Sequence, residues 1–197
     1  MHLPQTRQLP PFLRGFTGLI SDVVNEYFTN YFPAAVATAT SLVARNGTER
    51  LIYTTHSWLV SLYLDCPASG GFNISCPDEA ALGLFRKCIS DGWITWHAFP
   101  FNAEPEAYDS SLFAFGVNMS HWLDDQFKKP RSITMSQRDV PGMTRSVIPL
   151  LLQQGVLAIS EGVNSYSAPP VVPTIFNWSD AAGGSLIYMV RVLVLER

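Results

Sequence analysis

The chain has 197 residues, 47% apolar and 12% aromatic, with a formal net charge of −3. It is long enough for one α/β domain with a substantial core, and too apolar for a disordered chain. A mildly acidic balance without a basic stripe argues against nucleic acid as partner, and the most apolar stretch, 186–195, contains Arg191 and is far shorter than the ~20 residues of a membrane helix.

Residues 1–15 are Pro-rich and aperiodic, and read as an irregular arm. Residues 18–45 read as helix with a break or kink at Pro33, since proline lacks the N–H the helix needs. "LIYTT" (51–55) reads as a buried strand and is followed by a short helix from Ser57. The segment 66–77 is loop. Asp78 then caps a helix to about Ser90, and "WITWHAF" (93–99) is the next strand. A long helix is expected over 106–128, with Leu112, Phe115, Met119 and Trp122 on one face. "SITMS" (132–136), a helix over 143–154 and "VLAIS" (156–160) continue the alternation. A Pro-rich loop (168–173), "TIFNW" and "SLIYMVRVLVLE" close the chain. No repeat or linker divides it, so residues 1–197 are read as a single domain. Alternating strands and helices imply a mostly parallel sheet, whose catalytic groups gather at the C-terminal strand ends.

Three strand ends carry suitable chemistry. The first ends in Thr54-Thr55-His56. The second carries His97, followed by Asn102, Glu104 and Glu106. The third delivers Asp139 in "SQRDVPGMTR", where Pro141 and Gly142 force a turn. Converging carboxylates and imidazoles can bind a divalent metal or perform acid/base and nucleophilic work. Each also has a plainer reading. Asp139 can cap the turn, His97 can be a hydrogen-bonded core histidine, and Glu104 and Glu106 can serve a helix start. His121 reads as surface or packing.

The cysteines Cys66, Cys76 and Cys88 lack a metal-site spacing. A Cys66–Cys76 bridge with Cys88 buried and unpaired is one reading, and three ordinary thiols is the other. Four sequons, at Asn46, Asn73, Asn118 and Asn177, point to the secretory pathway, although the chain opens without an apolar signal segment.

The blocks "GFTGLISDVVNEY", "IYTTHSWLV", "GWITWHAFPF", "SQRDVPGMTRSVIPLLLQQGV" and "GVNSYSAPPVVPTIFNW" resemble, in the same order over roughly residues 12–190, the N-terminal catalytic region of glycoside hydrolase family 38-like proteins, which are related to α-mannosidases. The resemblance implies part of a seven-stranded (β/α) barrel of the glycoside hydrolase/deacetylase type. It implies a carbohydrate substrate, zinc as cofactor, and Asp139 as both nucleophile and zinc ligand. His97 and Glu106 are the further catalytic candidates. The family's His-x-Asp zinc pair is replaced here by Pro11 and Leu13, so the resemblance implies a fragment or a degenerate relative with little turnover of its own. The alternative is a non-catalytic carbohydrate-binding or interaction protein, with Trp58, Trp93, Trp96 and Trp178 as stacking candidates. An open barrel would leave an unpaired sheet edge, and the oligomeric state is left open.

Overall fold

The structure, a computed structural model, describes residues 20–67, 73–139, 142–163 and 170–192. The irregular arm, Pro11, Leu13, Val140 and Pro141 lie outside the described residues.

The chain begins with helix α1 (Ile20–Glu26), a wide π turn (Tyr27–Tyr31) and helix α2 (Phe32–Ala44). Of the break or kink expected at Pro33, the structure shows no break in the helical run. The turn before it widens instead, so that Phe32 N–H reaches the Tyr27 carbonyl, and the proline falls in the first turn of α2, where its missing N–H costs nothing. Strand β1 (Tyr53–Thr55), helix α3 (Ser57–Leu64), helix α4 (Glu79–Ser90) and strand β2 (Ile94–Trp96) follow. Asp78 caps α4, its Oδ1 accepting from Ala81 N–H at 2.8 Å.

A single 3₁₀ turn (Pro105–Ala107) precedes helix α5 (Ser110–Gln126). The helix starts later than expected because Asp109 is its cap, accepting from Leu112 N–H at 2.8 Å and from the Ser111 hydroxyl at 2.7 Å. Strand β3 (Thr134–Arg138), helix α6 (Val147–Gln153), strand β4 (Ala158–Val163) and the hairpin β5 (Ile175–Ser179)–β6 (Ser185–Val192) complete the described fold.

β1 and β2 pair in parallel. The second sheet has the order β3-β4-β6-β5, parallel except for the antiparallel β5–β6 hairpin. A bond from Ala98 N–H to the Thr134 carbonyl at 2.9 Å joins β3 to the end of β2. Among the described residues the strands do not close into a barrel.

Two apolar clusters hold helices against one face of these strands. The first joins Phe28, Phe32, Tyr63, Phe85, Ile94 and Trp96. The second joins Phe99, Phe113, Met135, Ile148, Leu151 and Ile159. Gly116 lets α5 approach closely, since a Cβ there would stand 2.9 Å from the Phe99 ring. The buried face of α5 is Phe113, Gly116, Val117, Ser120 and Asp124. The expected face is the wrong one: Leu112, Phe115 and Trp122 are each at least half exposed.

Polar groups explain that rotation. Asp124 is buried and accepts from Trp96 Nε1–H at 2.8 Å, Ser132 N–H at 2.9 Å and the Ser132 hydroxyl at 3.1 Å. Ser120 and Ser57 bond to each other at 2.7 Å across α5 and α3. A buried carboxylate left unpaired costs more than a few exposed apolar side chains, so the bonded face turns inward.

Cys66 and Cys76 are bridged, with Cα atoms 5.7 Å apart, and Cys88 is buried and free. Burial is also the main reason its thiol is pushed up. No described helix is long and apolar enough to cross a membrane.

Candidate functional site

The parallel strands bring the three sequence candidates to one end of the sheet. Pairing of β1 with β2 runs past the strands proper, because His97 N–H bonds the Thr55 carbonyl at 3.1 Å. This sets the His56 and His97 rings side by side, with centroids 5.6 Å apart and planes inclined at 62°. Burial, then the neighbouring His56, then the cationic Arg138 hold His97 down to about 4. His56 is lowered chiefly by burial, against an opposing pull from the Phe99 backbone, and its buried Nδ1 has no partner. Both imidazoles are therefore neutral at pH 7.

The loop after β2 is clipped onto β3. Gln137 is fully buried, its Oε1 accepting from Ala103 N–H at 2.6 Å and its Nε2–H donating to the Phe101 carbonyl at 3.1 Å. Asn102 Oδ1 accepts from Arg138 N–H at 3.0 Å, so Asn102 shapes the loop.

Asp139 stands directly beyond β3. Its φ of 60° is a left-handed conformation that Asp tolerates better than most residues. Its N–H bonds the Gly162 carbonyl of β4 at 2.8 Å, while the residue itself is exposed. The backbone is thus fixed and the carboxylate open to a ligand. Gly142 has a φ of 134°, in a region that glycine favours.

Sequence reasoning missed two neighbours. Arg138 lies over β4, because a Cβ on Gly162 would meet its Nη1 at 3.0 Å. Glu161 is buried, one carboxylate oxygen has no partner, and burial followed by repulsion from Glu106 raises its carboxyl above the usual range. Glu161 directly follows the apolar run 156–160 and precedes Gly162, but its pairing with its surroundings comes from strand register rather than from the local sequence.

The remaining candidates divide. Glu106 is exposed on the 3₁₀ turn, lines a cavity of about 140 Å³ with Tyr108, Thr144 and Ser146, and acts electrostatically on Glu161. Glu104 only precedes that turn, its carbonyl accepting from Ala107 N–H at 3.0 Å. His121 is buried in α5. Of the stacking candidates Trp96 is buried, and Trp58, Trp93 and Trp178 are half-buried against the two cores.

A protein zinc site needs three or four closely placed ligands. Among the described residues no three His, Cys, Asp or Glu side chains are grouped to hold a metal ion. The described residues therefore do not by themselves fit the zinc centre that the resemblance implies.

No family model matches the chain, and no curated protein matches its sequence. Among solved structures it is similar to a 4-alpha-glucanotransferase from Thermococcus litoralis, with a TM-score of 0.58 at 10% identity. The match covers 91% of this chain and 26% of that one, so the chain spans about a quarter of its neighbour's length. The likeness concerns the fold alone. It agrees with a mixed α/β architecture and does not address family 38.

Proposed function

We propose that the chain carries the nucleophile-bearing strand of a glycoside hydrolase of α-mannosidase type, with Asp139 as the attacking carboxylate. The observation that carries the reading is the presentation of Asp139: an exposed carboxylate at the C-terminal end of a parallel strand, with its amide tethered to the next strand. Retaining glycosidases pair such a nucleophile with a second carboxyl group that holds a proton. The Glu106–Glu161 pair fits that need, since burial, then repulsion from Glu106, raises the Glu161 carboxyl above its ordinary value. Neutral His97 is suited to accept a hydrogen bond from a sugar hydroxyl.

In the proposed reaction Asp139 bonds to the anomeric carbon as the glycosidic C–O bond breaks. The leaving oxygen takes the proton of the carboxyl pair, and water then hydrolyses the glycosyl ester. No step is routed through a metal. Zinc dependence is part of the test, as turnover of aryl α-mannosides with and without added zinc.

The reading is tested by labelling the chain with a fluorinated mannosyl fluoride that traps glycosyl esters, followed by peptide mass spectrometry. A mannosyl adduct on Asp139, absent from Asp139→Asn, is expected even where steady turnover is low. An adduct on another residue, or none with intact folded protein, would overturn the assignment.

The same proposal places the protein in the secretory pathway. It is supported by the Cys66–Cys76 bridge and by exposed sequon asparagines at 46, 73 and 177. Asn118 is half-buried on α5, and its sequon serine, Ser120, is fully buried. Glycans are expected at the first three positions and not at Asn118, read by glycopeptide mapping of protein secreted from eukaryotic cells.

A further inference from the structure

Among the described residues β5 is an edge strand of the larger sheet, paired with β6 on one side only. Bonds from Val190 N–H to the Thr174 carbonyl and from Asp180 N–H to the Gly184 carbonyl, both 2.9 Å, bracket the strand and fix its phase. Antiparallel pairing alternates, so residues 174, 176, 178 and 180 turn their backbone groups toward β6. Ile175, Asn177 and Ser179 turn theirs outward.

A row of outward N–H and C=O groups is a template for another strand, and soluble proteins guard it. Two guards are in place here. Pro173, two residues before Ile175, has no N–H to offer. At the other end the Arg145 guanidinium donates to the Ser179 carbonyl, from Nε at 3.0 Å and from Nη2 at 2.6 Å. Between these guards stand Ile175 and Asn177. The strand "IFNWS" has no charge, and its register with β6 runs without a bulge. Ile175 and the neighbouring Ile187 are 61% and 51% exposed, so the gap is apolar as well as unpaired.

Asn177 opens the sequon Asn177-Trp178-Ser179. Phe176 and Trp178 pack inward against Tyr188 and the core. Alternation therefore turns Asn177 and Ser179 to the other face, where both are exposed. Asn177 stands opposite Ile187, in a non-hydrogen-bonded pair whose Cβ atoms lie about 4.5–5.5 Å apart. A glycan on Asn177 would grow from the middle of the unguarded stretch, beside Ile175 and Ile187.

We propose that an N-linked glycan on Asn177 is the third guard of this edge, and that it keeps a second copy of the chain from pairing with β5. Antiparallel pairing centred on Asn177 is isologous and ends at a dimer. It brings the two Asn177 residues together, where two glycans cannot fit. The glycan itself rests on the secretory reading, while the unpaired edge does not.

The test expresses the chain through the secretory pathway of eukaryotic cells, behind an added signal peptide. Wild type is compared with Asn177→Gln, Ser179→Ala, and Ser179→Ala combined with Ile175→Lys. Ser179→Ala removes the sequon but keeps Asn177 and the backbone carbonyl that Arg145 holds. Glycopeptide mapping reads occupancy, and size-exclusion light scattering reads protein mass against concentration. Asn177 should be occupied in the wild type. Protein mass in both sequon-less variants should rise about twofold with concentration, beyond any change in the wild type. A lysine on the edge should restore wild-type behaviour. The inference is overturned if the sequon-less variants keep the wild-type mass, or if their association survives Ile175→Lys. Glycans at Asn46 and Asn73 but not at Asn177 would sink this inference and leave the secretory reading standing. No glycan at any of the three would sink both.

Discussion

The two faces of the sheet solve different problems. The helix-covered face carries Met135, Ile159, Tyr188 and Val190 in register, all buried, and excludes water. The opposite face carries Thr54, Thr95, Ser136, Ser160 and Gly162, and ends in histidines and an arginine. Because side chains alternate along a strand, each strand serves both faces at once. Stability is concentrated on the first face. The second is free to carry groups that no core would tolerate.

Adjacent residues of β4 test this division most directly. Ile159 is buried at 1% exposure, and Ile159→Ala should destabilise by about 2–5 kcal/mol through lost burial and the cavity left behind. Ser160→Ala, one residue along and on the other face, should change stability by less than about 0.5 kcal/mol. Urea denaturation of both variants checks the pair. Equal losses would mean that the second face is as tightly packed as the first.

On the helix-covered face Asp124 is a buried polar group with several partners. Asp124→Ala removes the acceptor for Trp96 Nε1–H and Ser132 N–H, and buried donors left without acceptors cost about 1–3 kcal/mol each. A combined loss near 3 kcal/mol is expected by thermal denaturation. A Trp96→Phe background should shrink it, since one of the orphaned donors is then gone.

What was legible in the sequence follows the same division. The strands in chain order, the Asp78 cap and the placing of His56, His97 and Asp139 at strand ends were readable, because short apolar runs and turn residues mark them locally, while the Cys66–Cys76 bridge was one of two open readings. Glu161 and Arg138 were not. Their importance comes from β3–β4 register and from a glycine on a neighbouring strand, and neither leaves a local mark. The face of α5 was misread for a related reason. Periodicity weighs apolar residues, while here Asp124 and Ser120 decide the orientation through partners far away in sequence.

The two faces should also respond oppositely to pH. His97 is held from its ordinary 6.5 down to about 4, so the folded state disfavours its protonation. The stability this gives is complete above pH 6.5 and is lost as pH falls through 4, by a loss of order 2 kcal/mol after allowance for its partial exposure. Glu161 is raised above its ordinary 4.5. Its contribution is complete below that value and is lost as pH rises through the folded value. Unfolding free energies measured from pH 4 to 8 should therefore fall less steeply on acidification in His97→Gln than in the wild type. Glu161→Gln should be relatively more stable at neutral pH than at pH 4. Parallel profiles for all three proteins would remove the electrostatic contrast.

The smallest expected effect falls on α5, where the sequence pattern and the structure disagree. The stripe Leu112–Phe115–Met119–Trp122 has the spacing of a core face, yet Phe115 is 50% and Trp122 56% exposed, with their rings 5.4 Å apart. Phe113, two residues from Phe115, is 1% exposed and stacks on Phe99 at 5.1 Å. Phe115→Ser removes a half-exposed ring and one edge-to-face contact, and should cost no more than about 1 kcal/mol. Leu112→Ser, with no ring partner, should cost about 0.5 kcal/mol or less. Phe113→Ala should cost about 3–5 kcal/mol. Three denaturation curves decide the matter, because the pattern-based face predicts the reverse order. A large loss in Phe115→Ser with a small one in Phe113→Ala would mean that α5 is rotated about its axis. The Asp124–Trp96 bond would then have to be broken, and Trp96→Phe would become silent in the same assay.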